Sequence, residues 1–245
     1  MEPDQDLRTR ECAYCGAPGS ITDDHVPPRN LFPPPRPNNL LVVPSCLGCN
    51  QGASLDDEYF RLTLTFRDDT YEHPAVQQLL PSVLRSLQKP KKLRFSRAFL
   101  RSVAEVDVNT QAGIYLGRRS AYNVDLTRLD RVAARIAKGL FYHEHGSRLP
   151  NGYEMIAYNE SGMAHVSEEI ALNIQRRILV PLSSAPERVI GPDIFSYRFR
   201  FVESDPNLSA WLLTFFKAVA FICLSVTKEI AAMRPPNKAL DRIGE

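Results

Sequence analysis

The 245-residue sequence contains no apolar run long enough to cross a bilayer, no repeat of fixed period and no low-complexity tract. Each absence narrows the class. The most apolar stretch, Trp211 to Val226, is interrupted by Lys217 and falls short of the roughly 18 to 20 apolar residues that a span requires. It is expected to form a buried core helix. The opening MEPDQDLRTRE has no cationic lead into an apolar stretch, which argues against a secretory signal and gives a cytoplasmic expectation. Cysteines number only five, and a chain of this length can bury a core without disulfides. With 44% hydrophobic and 24% charged residues the composition is ordinary for a globular protein, so disorder is expected only at the termini.

Neither sign of charge dominates, the net being +2, but the distribution is uneven. Residues 1–72 carry 6 Lys/Arg against 12 Asp/Glu, whereas residues 73–104 carry 7 Lys/Arg and no acid. The remainder is nearly balanced.

Four of the five cysteines form two CxxC pairs, Cys12/Cys15 in ECAYCG and Cys46/Cys49 in SCLGCN, with 30 residues between them. A CxxC turn delivers two thiolates to one side of a zinc ion, and a second turn completes the tetrahedron. Gly16 and Gly48 supply the small residues such knuckles need. A reducing compartment disfavours structural disulfides, and a redox CxxC would not come twice without a βαβ pattern. The pattern therefore predicts a structural zinc. Cys223, in the apolar AFICLSV, reads as a small buried hydrophobe.

Between the pairs lie ITDDHVPPRNLF and PNNLLVV. Adjacent Asp24 and His25 offer a hard oxygen ligand and an imidazole, the two groups a one-metal nuclease requires. On a regular strand these side chains would diverge, and Pro27 and Pro28 are expected to end the strand and bring them together. Leu40 to Val43 reads as a second short strand leading into the second CxxC, which would set Asn50 across from Asp24.

In the order CxxC, DH, NL, CxxCN, the chain resembles the HNH endonuclease superfamily, closest to members whose third motif residue is Asn. The resemblance covers residues 12 to about 60. It implies an α+β protein that begins with a zinc-stapled, treble-clef-like ββα-metal HNH module over residues 1–70. It also implies His25 as general base, Asp24 and Asn50 as ligands of a catalytic Mg2+ or Mn2+, and Asn39 as the residue that orients His25. Asn38 stands beside Asn39, and either Asp23 or Asp24 can approach the metal, adjacency to His25 favouring Asp24. Ser54 followed by Asp57 suggests a helix start after Gly52, which would place Asp56, Asp57 and Glu58 in its first turn.

Residues 71–245 are expected to form a mixed helix and antiparallel-strand accessory domain, on its own core, for substrate or partner recognition. Residues 76–104 read as two helical pieces broken at Lys89-Pro90. Their cations Lys89, Lys91, Lys92, Arg94, Arg97 and Arg101, interleaved with Phe95 and Phe99, form the candidate nucleic-acid-binding segment. A helix from Asp125 to His145 has an apolar stripe and an opposite stripe of Arg128, Arg131, Arg135 and Lys138, expected to face solvent. His143 and His145 lack the spacing of a helical ligand pair and are expected to supply charge at that helix's C-terminus. Tyr153 to Tyr158, Ile174 to Leu182 and Ile194 to Val202 read as strands.

These features predict a metal-dependent endonuclease acting on DNA, with RNA as the other candidate substrate and a setting in phage defence, restriction or a mobile element. No membrane partner is expected, and a homodimer or a protein partner in a defence complex is compatible with the accessory region. The rival reading is a non-catalytic zinc module that binds nucleic acid or protein.

Overall fold

The computed structural model describes residues 11–19, 21–90, 93–110, 112–159 and 168–233. It opens with an antiparallel hairpin, β1 (Ile21–Val26) against β2 (Leu41–Cys46), in a register that pairs Asp24 with Val43 and His25 with Val42. The chain passes directly from β2 into α1 (Leu47–Thr65). Cys46 is the N-cap, its sulfur accepting from the backbone N–H of Cys49 at 3.5 Å, so a thiol does what a Ser or Asp cap does elsewhere. The expected start at Ser54 is therefore corrected: Gly52 lies inside the helix. A mid-helix glycine costs about 1 kcal/mol, and burial of Phe60, Leu62 and Leu64 outweighs it.

After a short turn of helix, α2 (Asp68–Tyr71), the basic region forms α3 (Pro74–Leu87) and α4 (Leu93–Arg101), broken where Lys89-Pro90 predicts. A hairpin of β3 (Ala104–Asn109) and β4 (Tyr115–Ala121) follows, which the sequence reading did not anticipate. The long amphipathic helix is present as α5 (Leu126–His145). Asp125 caps it by accepting from the Arg128 N–H at 3.1 Å, and Gly146 ends it in the left-handed region at φ 79°.

The second half builds a five-stranded antiparallel sheet in the order β5-β9-β8-β7-β6, from β5 (Tyr153–Asn159), β6 (Arg188–Ile190), β7 (Phe195–Val202), β8 (Asp205–Phe215) and β9 (Val219–Thr227). Two expectations are corrected here. Trp211 to Val226 is a hairpin instead of a helix: Phe216 and Lys217 turn at φ 51° and 59°, and Trp211 pairs with Cys223. Trp211, Leu213 and Phe215 point into the core, but Leu212 and Leu224 on the other face are also apolar, which hid the period of two. Ile174 to Leu182 is helical instead of extended, within Glu168–Ile174, a π-helical stretch Gln175–Leu179 and a last turn Val180–Ser183. Ile174, Ile178 and Leu182 recur every fourth residue, a helical spacing.

α5 is the central element, packing on β5, β8 and β9 on one side and on α1, β1 and β2 on the other. One cluster of buried apolar residues runs from Cys12 through Phe60 and Leu140 to Trp211 and Cys223. Among the described residues the accessory region therefore shares its main core with the N-terminal module, and Cys223 is the buried hydrophobe expected. Phe60 of α1 touches Phe215 and Phe221 of the sheet, with ring centroids 5.2 and 5.5 Å apart. No helix among the described residues is long and apolar enough to cross a membrane.

The hairpin approaches α5 most closely at Gly139, where an added Cβ would lie 2.6 Å from Val26 Cγ2 and 3.2 Å from the Tyr14 hydroxyl. Alanine is the better helix former, yet Gly139→Ala is expected to destabilise the protein by about 1–3 kcal/mol through overpacking. Urea denaturation checks this, and an increase in stability would show that the hairpin and α5 do not approach so closely.

Candidate functional site

The sulfurs of Cys12, Cys15, Cys46 and Cys49 all lie within 4.8 Å of one another, with Cys15 Sγ and Cys46 Sγ 3.7 Å apart. Zinc–thiolate bonds of about 2.3 Å in a tetrahedron put sulfurs about 3.8 Å apart. The four cysteines are thus close enough together to bind a metal ion such as zinc. The first knuckle closes by Gly16 N–H to Cys12 carbonyl (2.8 Å) and docks on β2 by Ala13 N–H to Pro44 carbonyl (2.8 Å). Gly16 sits at φ +74°, and an added Cβ there would meet the Arg148 guanidinium at 2.6 Å. Lys138 of α5 is half-buried beside the cluster; burial lowers its pKa while the charges of Cys49, Cys15 and Cys12 oppose that. Cations from the second half of the chain thus flank the cysteine cluster.

β1 keeps its regular register through His25, so the expected convergence of Asp24 and His25 does not occur. The two side chains alternate across the strand. Asp24 is buried and points towards α5, whereas His25 is half-buried on the face that it shares with exposed Asp23. Burial lowers the His25 pKa, Arg29 and Arg36 lower it further, and Asp24 and Asp23 oppose. The ring is therefore neutral at neutral pH and has no hydrogen-bond partner among the described residues. Arg29 and Arg36 are exposed and have no ion-pair partner among the described residues.

Asn50, in the first turns of α1, donates to Thr22 Oγ1 at 2.9 Å and to the Asp23 carbonyl at 3.4 Å. Thr22 and Asp24 share a strand face, so Asn50 lies on the Asp24 side of β1. Asn39 turns elsewhere: its amide donates to the Val189 carbonyl of β6 at 2.9 Å, and the structure does not bring it to His25.

Asp24 is held by two groups that the sequence reading missed. Its Oδ2 accepts from the Tyr14 hydroxyl at 2.7 Å and from the Arg135 guanidinium. Tyr14 comes from inside the first CxxC, and Arg135 comes from α5. Arg135 also reaches Asp57 Oδ2 at 3.5 Å and the Cys49 carbonyl at 3.4 Å, and lies 4.8 Å from the Tyr14 ring centroid. Its neighbours continue the pattern, Arg128 and Arg131 both pairing with Asp56 at 2.7 and 3.0 Å. The α5 basic stripe is therefore not a solvent face but an interface with the acids of α1 and β1. Asp56 and Asp57 correspondingly serve this interface, well inside α1, and do not interact with its N-terminus.

The basic segment lies at the far end of α1. Phe95 and Phe99 are turned inward against Tyr59 (5.9 Å), Tyr122 (4.9 Å) and Leu62, while Lys89, Arg97 and Arg101 are exposed. Lys91, Lys92 and the side chain of Arg94 lie outside the described residues. From Asn50 to Leu62 the helix axis advances about 18 Å, close to the rise of five base pairs. At the end of α5, His143 is exposed, and His145 stacks on Phe141 (4.7 Å) with its Nδ1 2.9 Å from Ser147 Oγ.

The cluster of Asp24, Asp57 and Arg135 holds two carboxylates against one guanidinium, and Asp57 Oδ1 is buried without a hydrogen-bond partner among the described residues. Burial pushes the Asp57 carboxyl up from 3.8 to about 6, Arg135 opposing and Asp24 and Asp56 adding to the rise. Because the folded-state value lies above the unfolded one, the native protein holds this proton more tightly, and stability falls as pH rises from about 4 through about 6. Asp57→Asn is expected to be more stable than the parent at pH 7 by on the order of 1 kcal/mol, the gain disappearing towards pH 4. Urea titrations at both pH values check the sign; a loss of stability at pH 7 would show that the ion pair with Arg135 dominates.

No protein-family model, curated protein or solved structure matches this chain, so its chemistry is read from these residues and their geometry.

Proposed function

We propose that the protein is a metal-dependent HNH-type endonuclease that hydrolyses phosphodiester bonds of DNA, with a zinc-stapled ββα-metal module at its N-terminus. The observation that carries this reading is His25: a half-buried imidazole without a hydrogen-bond partner among the described residues, on the strand that pairs with Cys46 of the cysteine cluster, with burial lowering its pKa as suits a base. A hairpin followed at once by a helix that starts within the second CxxC supports the ββα reading.

In this mechanism the unprotonated nitrogen of His25 accepts a proton from water as the water oxygen attacks phosphorus, and the bond from phosphorus to the 3′-oxygen breaks. Asp24 and Asn50 would hold a divalent ion that neutralises charge on the phosphate and the leaving oxygen. Arg29 and Arg36 flank His25 with positive charge suited to the phosphates. Lys89, Arg97 and Arg101 would contact the backbone further along the duplex. A second reading, a zinc module that binds a partner without catalysis, is favoured by one observation: Asp24 is already engaged by Arg135 and Tyr14.

Purified protein is expected to contain one zinc per chain, and Cys46→Ser to lose both the zinc and the folded hairpin, as read by metal analysis and proteolysis. Loss of the cysteine without loss of zinc would remove the staple from the account. Nicking of supercoiled DNA is expected with Mg2+ or Mn2+ and not with chelator, and His25→Ala should lower the rate by about 100-fold or more. Undiminished cleavage by folded His25→Ala would overturn the assignment of the base, and absence of cleavage of any DNA or RNA would favour the second reading.

A further inference from the structure

The acid that the nuclease reading assigns to the catalytic metal is also the acid that α5 binds. Asp24 lies under Arg135, and the same guanidinium spans to Asp57 Oδ2 at 3.5 Å and the Cys49 carbonyl at 3.4 Å. Both members of the pair are shielded, with side-chain exposures of 15% for Arg135 and 10% for Asp24. A guanidinium and a divalent cation seek the same hard oxygen, and two positive charges within a few ångströms of each other in a poorly solvated site repel strongly.

The donor set fits a divalent ion in kind: a carboxylate and a carboxamide on one side of β1, with a second carboxylate whose Oδ1 is buried and unpartnered nearby. It does not fit an ion and Arg135 on the same Asp24 oxygen at once. We propose that Arg135 is the positioning residue that sets the affinity of this site for divalent cations, by competing with the ion for Asp24. This rests on the reading of Asp24 as a metal ligand. In the metal-free protein Arg135 orients Asp24 and neutralises it. Loading requires the guanidinium to shift, and Asp57, already its second partner, is the group that would retain it.

Three features of the neighbourhood favour competition over simple burial of an ion pair. Asp57 gives the displaced guanidinium a counter-ion without leaving the cluster. Arg135 Nε has no hydrogen-bond partner among the described residues, so the fork is only partly satisfied where it lies. Asn50, which would share the ion with Asp24, is one residue beyond the Cys49 carbonyl that Arg135 contacts. A shift of the side chain therefore releases both the Asp24 oxygen and the carbonyl that precedes Asn50.

The test is Mn2+ binding to the zinc-loaded full chain, followed by electron paramagnetic resonance of free Mn2+, in the parent, Arg135→Gln, Arg135→Lys and Arg135→Gln/Asp24→Asn. Arg135→Gln is expected to bind Mn2+ about tenfold or more tightly than the parent, Arg135→Lys to fall between them, and the added Asp24→Asn to abolish the gain. Equal affinity in parent and Arg135→Gln, or a gain that survives Asp24→Asn, overturns the proposal. If circular dichroism shows Arg135→Gln unfolded, Arg135→Lys decides, and unchanged affinity there overturns it. The nicking assay separates the two ideas: Mn2+ gain without cleavage sinks the nuclease reading alone, and His25-dependent cleavage with unmoved Mn2+ affinity sinks this one alone.

Discussion

Arginine meeting aspartate across the α1–α5 interface is the contact on which the arrangement of this molecule depends. Arg128, Arg131 and Arg135 project from one face of α5 and meet Asp56, Asp57 and Asp24, which belong to the acidic first quarter of the chain. A six-residue hairpin strand pair cannot bury enough apolar surface to fold alone. It gains its position from Val26 and Tyr14 against Gly139, from the cysteine cluster, and from the neutralisation of Asp24 by a helix more than a hundred positions away. Removing one partner of such a pair leaves a buried charge, the costly outcome, whereas the pair itself contributes orientation more than net stability.

That arrangement gives the two faces of β1 different characters. The inner face, with Thr22, Asp24 and Asn50 of α1, is polar, shielded and already partly neutralised. The outer face carries exposed Asp23 and half-buried His25, under the influence of the exposed cations Arg29 and Arg36. Strand alternation separates the imidazole from the buried carboxylate. The second half of the chain contributes to this site directly, through Arg135, Lys138 and Arg148, besides covering the core.

Much of the local structure was legible in the sequence because its causes are local. The two CxxC pairs converge, the break at Lys89-Pro90 separates two helices, and α5 runs between its Asp125 cap and Gly146. The failures have physical causes too. Trp211 to Val226 hid its alternation because both faces of that hairpin are apolar and its turn uses Phe216 and Lys217 in place of glycine. The Ile174 to Leu182 segment carries β-branched Ile174, Ile178 and Val180, which suggest a strand, although its spacing is helical. Asp57 reads as a helix first-turn acid and the α5 stripe as a solvent face, since partners 72 to 111 residues apart leave no trace in local pattern. Tyr14, inside the first CxxC, carries no local sign that its hydroxyl donates to Asp24.

The account therefore stands most directly on the coupling between Asp24 and Arg135. A double-mutant cycle of Asp24→Asn and Arg135→Gln, measured by urea unfolding at pH 7 with zinc bound, isolates that coupling from the contacts each residue makes alone. The predicted result is a coupling of about 2 kcal/mol or more, the double variant being less destabilised than the sum of the singles. Additivity within about 0.5 kcal/mol would contradict it, showing that α5 does not hold the acid at the centre of this site.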